Sequence, residues 1–220
     1  MLKSRKVLAI ILVRINSKRL PKKALKKINN LTIIEYFIKR LKKSKQINKI
    51  VLATSFNKVN NVLKKISEKN KIKFFKGPEN NVVGRMCNVL KKEKKFDIIV
   101  RANADNPLIM PNIIDYEIKY FKKKKLDVYT PFKNNKLPFG TSLTIFNKKT
   151  LLKINKQAKN KNYKEHVENY CFDNPKKFKI KTSIFKKKSN FYCPSLSLTL
   201  DTQKDYNKII LYEKKLRSIP

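Results

Sequence analysis

Short apolar runs alternate with amphipathic stripes along most of this chain, and that alternation restricts the possible folds more than any other feature of the sequence. VLAIILV (Val7 to Val13) is an unbroken apolar run of strand length and reads as a strand buried on both faces. From Thr32 onward, Ile34, Phe37, Ile38 and Leu41 fall on one helical face, and TIIE at the start has the form of a capping box. KIVLAT (Lys49 to Thr54) predicts a second strand, and Val59, Val62, Leu63 and Ile66 a second helix. The series continues with a strand at Ile72 to Phe75, a helix from about Arg85, a strand at Asp97 to Ala102 and a helix after Pro111 carrying Ile114, Ile118 and Phe121. Strands alternating with helices predict an α/β fold with a mostly parallel central sheet and helices on both faces.

Beyond Thr130 the pattern loosens. Pro131, Pro138 and Gly140 mark a loop, followed by a strand near Leu143 to Phe146, a helix from Lys148 and another around Glu165 to Phe172. Strands at Phe178 to Phe185 and Leu196 to Leu200, then a helix with Tyr206, Ile209 and Ile210, complete the reading. The 220 residues suit one domain over 1–220, with a small inserted lobe at about 131–195 and a strand returned to the sheet.

The formal charge of +40 invites a nucleic-acid reading, but 48 of the 55 basic residues are lysines dispersed along the chain beside abundant Asn and Ile. That composition is what an AT-rich coding bias produces, so the charge reads as solvated surface and no specific nucleic-acid partner is expected. The seven arginines carry more information, because a planar guanidinium grips phosphate through two bonds at once. Four of them, Arg14, Arg19, Arg85 and Arg101, fall at the ends of predicted elements. Three cysteines without CxxC spacing support neither a disulfide framework nor a zinc site and suit a reducing cytoplasm. The basic, apolar start imitates a signal peptide, but Arg14 ends the run early, and no segment approaches the length of a membrane span.

In open parallel sheets, ligands bind beyond the carboxyl ends of the strands. The first such loop lies in VRINSKRLPKKAL, where Arg14, Ser17, Arg19 and Lys23 can surround a polyphosphate. It is neither a Walker A loop nor a Rossmann fingerprint, since it lacks glycine altogether. RANADNPLIMP places Asp105 at the same edge, and LTLDTQKD places Asp201 at an equivalent one. Two carboxylates facing a basic loop suit a magnesium ion bridging protein and phosphates. Either could instead cap a helix, Asp201 especially, because DTQKD opens one.

VRINSKRLPKK resembles the signature of the sugar-acid cytidylyltransferases, approximately A-R-x-x-S-x-R-L-P-x-K, matching at Arg14, Ser17, Arg19, Leu20, Pro21 and Lys23. NADNPLI resembles that family's second motif around a metal-binding Asp, and LTLDTQKDY its L-x-x-D-T-x-x-D motif. GPENNVVGRM, PFGTSLTIF and EHVENY fall where the spore-coat polysaccharide cytidylyltransferase-like branch, related to the acylneuraminate and 3-deoxy-manno-octulosonate enzymes, has corresponding segments.

The resemblance implies a Rossmann-like nucleotide-diphospho-sugar transferase fold and transfer of CMP from CTP to a sugar or sugar acid, with release of pyrophosphate and Mg²⁺ as cofactor. It implies nucleotide contacts from Arg14, Ser17, Arg19, Lys23, Arg85 and Asn103, with Arg14, Lys23 and Asp105 central to catalysis. Asp105 and Asp201 match metal ligands, and His166 with Tyr170 resembles a pair near the sugar site. The sole histidine is expected to orient substrate or pack rather than catalyse. A homodimer is also compatible with the resemblance. Asn16 and Lys22 stand where the family often has glycine, Gly84 where a carboxylate commonly precedes the arginine, and Ser142 and Thr144 where acidic residues are frequent, a change expected on the sugar side. Two other classes compete: a glycosyltransferase of related topology, which usually needs D-x-D where NADN supplies one Asp, and a basic nucleic-acid-binding protein.

Overall fold

The computed structural model describes residues 5–132, 136–186 and 189–217. Its centre is strand β1 (Val7–Leu12), whose six residues are all buried. Alternate side chains enter different cores, as the period-two geometry of a strand requires. Val7, Ala9 and Ile11 meet Ile34, Phe37, Ile38 and Leu41 of α1 (Ile33–Leu41) and Ile114, Ile118 and Phe121 of α4 (Pro111–Lys124). Leu8, Ile10 and Leu12 join Val83, Met86 and Leu90 of α3 (Val82–Lys92) and Leu151 and Ile154 of α5 (Lys148–Gln157).

β1 pairs in parallel with β4 (Lys49–Ser55) on one side and β6 (Ile98–Asn103) on the other. β5 (Lys73–Gly77) extends the sheet in parallel beyond β4. Past β6 the direction changes: β8 (Thr144–Asn147) is antiparallel to β6 and to β7 (Val128–Tyr129), and β9 (Ile180–Lys181) closes the edge parallel to β7. The seven strands run β5-β4-β1-β6-β8-β7-β9, giving the mostly parallel sheet with flanking helices that the alternation predicts. A separate two-stranded ladder, β2 (Lys27–Ile28) with β3 (Leu31–Thr32), turns through Asn29 and Asn30 at φ of 46° and 59°. Asparagine tolerates that left-handed pair, which a tight hairpin turn demands. Thr32 and Glu35 form the expected capping box of α1.

Five elements differ from the sequence reading by more than a residue or two at their ends. Val59 belongs to a 3₁₀ turn, Lys58–Asn61, that precedes α2 (Val62–Lys69), so the helical stripe loses phase and only Leu63 and Ile66 of the four apolar residues are buried. α3 starts at Val82 rather than Arg85, because the Asn81 side chain accepts the Gly84 amide at 2.8 Å and caps it. The helix expected around Glu165 to Phe172 is broken into α6 (Lys161–Glu165) and α7 (Val167–Asp173) at His166, whose ψ of 79° leaves the helical region. Of Phe178 to Phe185 only Ile180–Lys181 pairs, since its partner β7 is two residues long. Leu196 to Leu200 is no strand either. It is an extended strap held by one bridge, Phe139 to Ser197, and it leads into α8 (Gln203–Arg217).

Behind the sheet, Glu117 of α4 is fully buried and accepts hydrogen bonds from Tyr129 Oη at 2.7 Å and Ser142 Oγ at 2.6 Å. Burial pushes the Glu117 carboxyl up to about 8, against the opposing pull of those two donors. A carboxyl raised in the folded state contributes stability that is complete below its unfolded value, ordinarily about 4.3, and lost as pH rises through the folded value. The wild-type melting midpoint should therefore fall between pH 5 and pH 8 relative to Glu117→Gln, which carries no titrating proton. Parallel melting curves across that range check this, and equal slopes for the two proteins refute it.

Candidate active site

The chain winds outward from β1 through α1 to β4 and through α2 to β5, then α3 carries it back to β6 on the other flank of β1. Connections that leave one strand in opposite directions open a crevice beyond its carboxyl end. A cavity of about 970 Å³ lies there. The first loop lines it with Arg14, Ser17, Arg19 and Lys23, the turn after β6 with Asn103 and Asp105, and the approach to α8 with Asp201.

The loop after β1 holds its shape without glycine by alternating anchors with free side chains. Val13, Ile15 and Leu20 are buried while Arg14, Asn16, Lys18 and Arg19 are exposed. Lys22, at a position where the resembled family often has glycine, takes φ of 53°, a left-handed conformation that costs a non-glycine residue about 1–2 kcal/mol. Asn16, the other such position, is not among the residues with positive φ. The turn at Lys22 delivers Lys23, with the Lys23 amide bonded to Leu20 O and the Leu25 amide to Lys22 O.

Lys23 Nζ is the meeting point of three distant segments. It lies 3.0 Å from Asp201 Oδ1, 3.5 Å from Asp105 Oδ2 and 2.7 Å from Leu200 O, and Arg19 Nη2 adds a second cation 2.9 Å from Asp201 Oδ1. The two carboxylates thus stand no farther apart than two contact distances laid end to end. Their backbones are tied as well, through the Leu200 amide bonded to Asp105 O at 2.7 Å. Neither aspartate is a cap. Thr202 and Asp205 exchange the reciprocal bonds that open α8, and the N-cap position of α4 is Met110. The strap reaches Asp105 by passing over Gly140, whose φ is +93° and where a Cβ would press on Asn106, Leu198 and Thr199 at 3.1 Å.

Opposite the loop, Arg85 is 6% exposed, donates Nη1 to Pro78 O at 3.2 Å and has no carboxylate within ion-pair distance among the described residues. Burial, with Arg14 nearby, lowers its guanidinium to about 10. It is still charged at neutrality. Its Nε and that of Arg101 are buried without a partner. Arg101 differs in being neutralised: its Nη1 lies 2.5 Å from both oxygens of Glu168, and its Nη2 donates to Glu165 O. A buried cation lacking a counter-charge costs several kcal/mol unless an anion arrives, so Arg85 marks this wall as one made for an anion.

At the far end the structure separates residues that the sequence reading grouped. His166, at the break between α6 and α7, is exposed and lines the cavity rather than packing in the core. Tyr170, four residues on, does not line it; its ring lies in the core beneath, against Tyr163 and Phe178, and its hydroxyl bonds Gln157 at 2.9 Å. The break at His166 separates the directions of the two side chains. Ser142 and Thr144 are likewise not on the sugar side. Both are buried: Ser142, in the turn before β8, bonds Glu117, and Thr144, the first residue of β8, bonds Thr130. Gly84 makes room for its own cap, since a Cβ there would sit 2.6 Å from the Asn81 side chain.

Residues that sequence reasoning missed include Glu168, Glu165, Phe132, Phe139 and Phe172 on the cavity wall, and Asn60 beneath the first loop. No local pattern announces Glu168, because its partner Arg101 is 67 positions away. The doubled helix end in EHVENY was the one available cue.

A metal has a place to bind among the residues present. Asp105 and Asp201 already converge on one cation, the Lys23 ammonium. No cluster of three or more acidic, histidine or cysteine ligands exists among the described residues, so an ion here would draw its remaining ligands from water and substrate oxygens, as Mg²⁺ does.

The chain is similar to known proteins along nearly its whole length. An uncharacterized protein from Methanocaldococcus jannaschii is 34% identical over 95% of this chain and 84% of its own. The spore coat polysaccharide biosynthesis protein SpsF of Bacillus subtilis is 29% identical over 94% of this chain and 87% of its own. The structure of a cytidylyltransferase from Leptospira borgpetersenii superposes with a TM-score of 0.86 at 28% identity, covering 94% of this chain and 85% of that one. No helix among the described residues is long and apolar enough to cross a membrane. The family description "Cytidylyltransferase" matches residues 8–217, nearly the whole chain, and the protein belongs to the cytidylyltransferase family.

Proposed function

We propose that this protein transfers CMP from CTP to a hydroxyl of a sugar or sugar acid, releasing pyrophosphate, in the making of a surface polysaccharide or related glycan. The observation that carries the proposal is the Lys23 node, in which a basic loop near the N-terminus meets one carboxylate from the middle of the chain and one from near its C-terminus at the carboxyl edge of the sheet. Transfer of a nucleotidyl group asks a protein mainly to align the attacking oxygen and to neutralise charge on the phosphates. Arg14, Ser17, Arg19 and Lys23 supply that neutralisation from the loop, and Arg85 and Asn103 line the same cavity. Asp105 and Asp201 would hold Mg²⁺, which when bound draws charge off the phosphate oxygens and steadies the departing pyrophosphate.

The attacking hydroxyl must also give up a proton. Most carboxylates of the cavity are committed: Asp105 and Asp201 to Lys23, Glu168 to Arg101, and Glu79 to Arg14 at 3.8 Å. Glu165 and His166 carry no such partner among the described residues, and they sit side by side at the acceptor end. One of them is the proton acceptor in this reading.

The test is a single incubation with CTP, UTP, ATP or GTP and a panel of sugars and sugar acids, scored for pyrophosphate. Release with CTP and one acceptor is expected; none with any nucleotide, or transfer from a nucleotide-sugar donor instead, defeats the proposal. Within an active preparation, Asp105→Asn and Asp201→Asn should each lower kcat about a hundredfold or more, and the double variant little further, since groups acting as a unit are not additive. A rate near wild type for Asp201→Asn would remove it from the metal site. Its loss would not be that of a helix cap, because Thr202 performs that task.

A further inference from the structure

We propose that Asn60 is a positioning residue for the nucleotide loop: its buried carboxamide fixes the amide of Ile15 and so sets the direction in which Arg14 and Ser17 meet the phosphates. The inference rests on reading the crevice as the CTP site.

Asn60 lies in the 3₁₀ turn after β4 and is 1% exposed. Its Oδ1 accepts the Ile15 amide at 2.9 Å across 45 positions of sequence, and its Nδ2 donates to Ser55 Oγ at 2.8 Å and, more weakly, to Ser55 O at 3.4 Å. The side chain is thereby held at both ends, acceptor toward the loop and donors toward the end of β4. Past Val13, whose amide reaches Ala53 O at 3.5 Å, the loop leaves the sheet ladder, and a buried Ile15 amide without a partner would cost about 1–3 kcal/mol. Among the described residues only this carboxamide meets it. Ile15 stands between Arg14 and the polar Asn16 and Ser17, so a rotation of its peptide plane turns both flanking side chains relative to the cavity. The loop contains no glycine to absorb such a rotation elsewhere.

The same strand supplies its own control. At the opposite end of β1, Asn48 Oδ1 accepts the Val7 amide at 2.8 Å, the same kind of bond but made to the strand itself and remote from the crevice. Losing either should lower the melting midpoint; only the loss of Asn60 should alter the nucleotide site.

The experiment measures binding of CTP with Mg²⁺ to the full chain by titration calorimetry, which needs no acceptor, beside melting curves for wild type, Asn60→Ala and Asn48→Ala. A CTP Kd raised about tenfold for folded Asn60→Ala, with Asn48→Ala within about twofold of wild type, is the expected result. Equal CTP affinity in all three overturns the inference, as does an equal loss in both variants. Should Asn60→Ala not fold, Ser55→Ala, which frees the donor end of the carboxamide, is read in its place. A loss of affinity of about threefold or more then supports the inference and an unchanged Kd overturns it. Failure of the wild type itself to bind CTP would instead strike at the proposed function, so the two readings fail separately.

Discussion

Everything in this molecule is arranged about a strand buried along its whole length. β1 is covered on both faces and paired in parallel on both edges, so its backbone and side chains are committed from end to end. The connection that leaves β1 runs to β4 on one flank, α3 later returns the chain to β6 on the other, and the loop at Arg14 emerges in the crevice between them at the carboxyl end of β1. The site's location therefore follows from the burial of Val7–Leu12, before any charged residue is considered. The same burial accounts for the rigidity of the loop's root, because Val13 and Ile15 continue the inward alternation after the ladder has ended.

Charge then organises what burial has located. The dispersed lysines make weak, screened contacts with water, whereas Lys23 is 16% exposed in its side chain and meets two carboxylates at once. Arg19, at 69% exposure, reaches the same Asp201 from the solvent side. These contacts join the N-terminal loop, the turn after β6 and the strap before α8, segments that also pack together through Leu20, Leu108, Leu198 and Leu200. The strap is shaped for this task more than for pairing. It bonds Phe139, Asn106 and the Asp105 carbonyl, and it ends where Thr202 takes over the cap and leaves the Asp201 carboxylate to Lys23 and Arg19.

The sheet and its order of elements were legible because apolar period is a short-range signal that burial on two faces makes strong, as in Val7–Leu12 and Ile98–Asn103. Legibility failed where an element depends on a partner that is short or absent. Phe178 to Phe185 has strand-like composition, but β7 offers it two residues to pair with. Val59 and Val62 lie at helical spacing and are exposed, since a 3₁₀ turn rotates the first out of phase. In the site, Arg14, Lys23, Asp105 and Asp201 were legible from motif spacing at strand ends. Glu168 and Asn60 were not, because each is defined by a contact 67 or 45 positions away and neither residue type stands out locally. Tyr170 was misplaced for a related reason: the spacing from His166 suggests one helical face, and a break in the helix between them sends one side chain to the cavity and the other to the core.

The two halves of the cavity differ in how they handle charge, and the difference bears on what each could receive. On the loop side, cations outnumber their fixed partners: Arg14 is held loosely, at 3.8 Å from Glu79, and Arg85 has no carboxylate within ion-pair distance among the described residues. That surplus is stable only beside an anion, which under the proposed function is the triphosphate. On the side that would take the acceptor under the same reading, most of the balance is internal. Arg101 and Glu168 cancel one another out of solvent, Asn162 bonds Asn169, and the rings of Phe132 and Phe139 pack tilted at 5.3 Å, while Glu165 and His166 have no ion-pair partner among the described residues. Polar groups already satisfied by one another give up little when a hydroxylated ligand replaces water, and aromatic walls favour the apolar face of a ring. Under the proposed function the triphosphate finds its complement at the first end and the ring of the sugar or sugar acid at the second. In that reading the hydroxyl to be joined comes from the second end to a phosphorus held at the first, and Asp105 and Asp201 line the cavity with the basic loop that would hold that phosphorus.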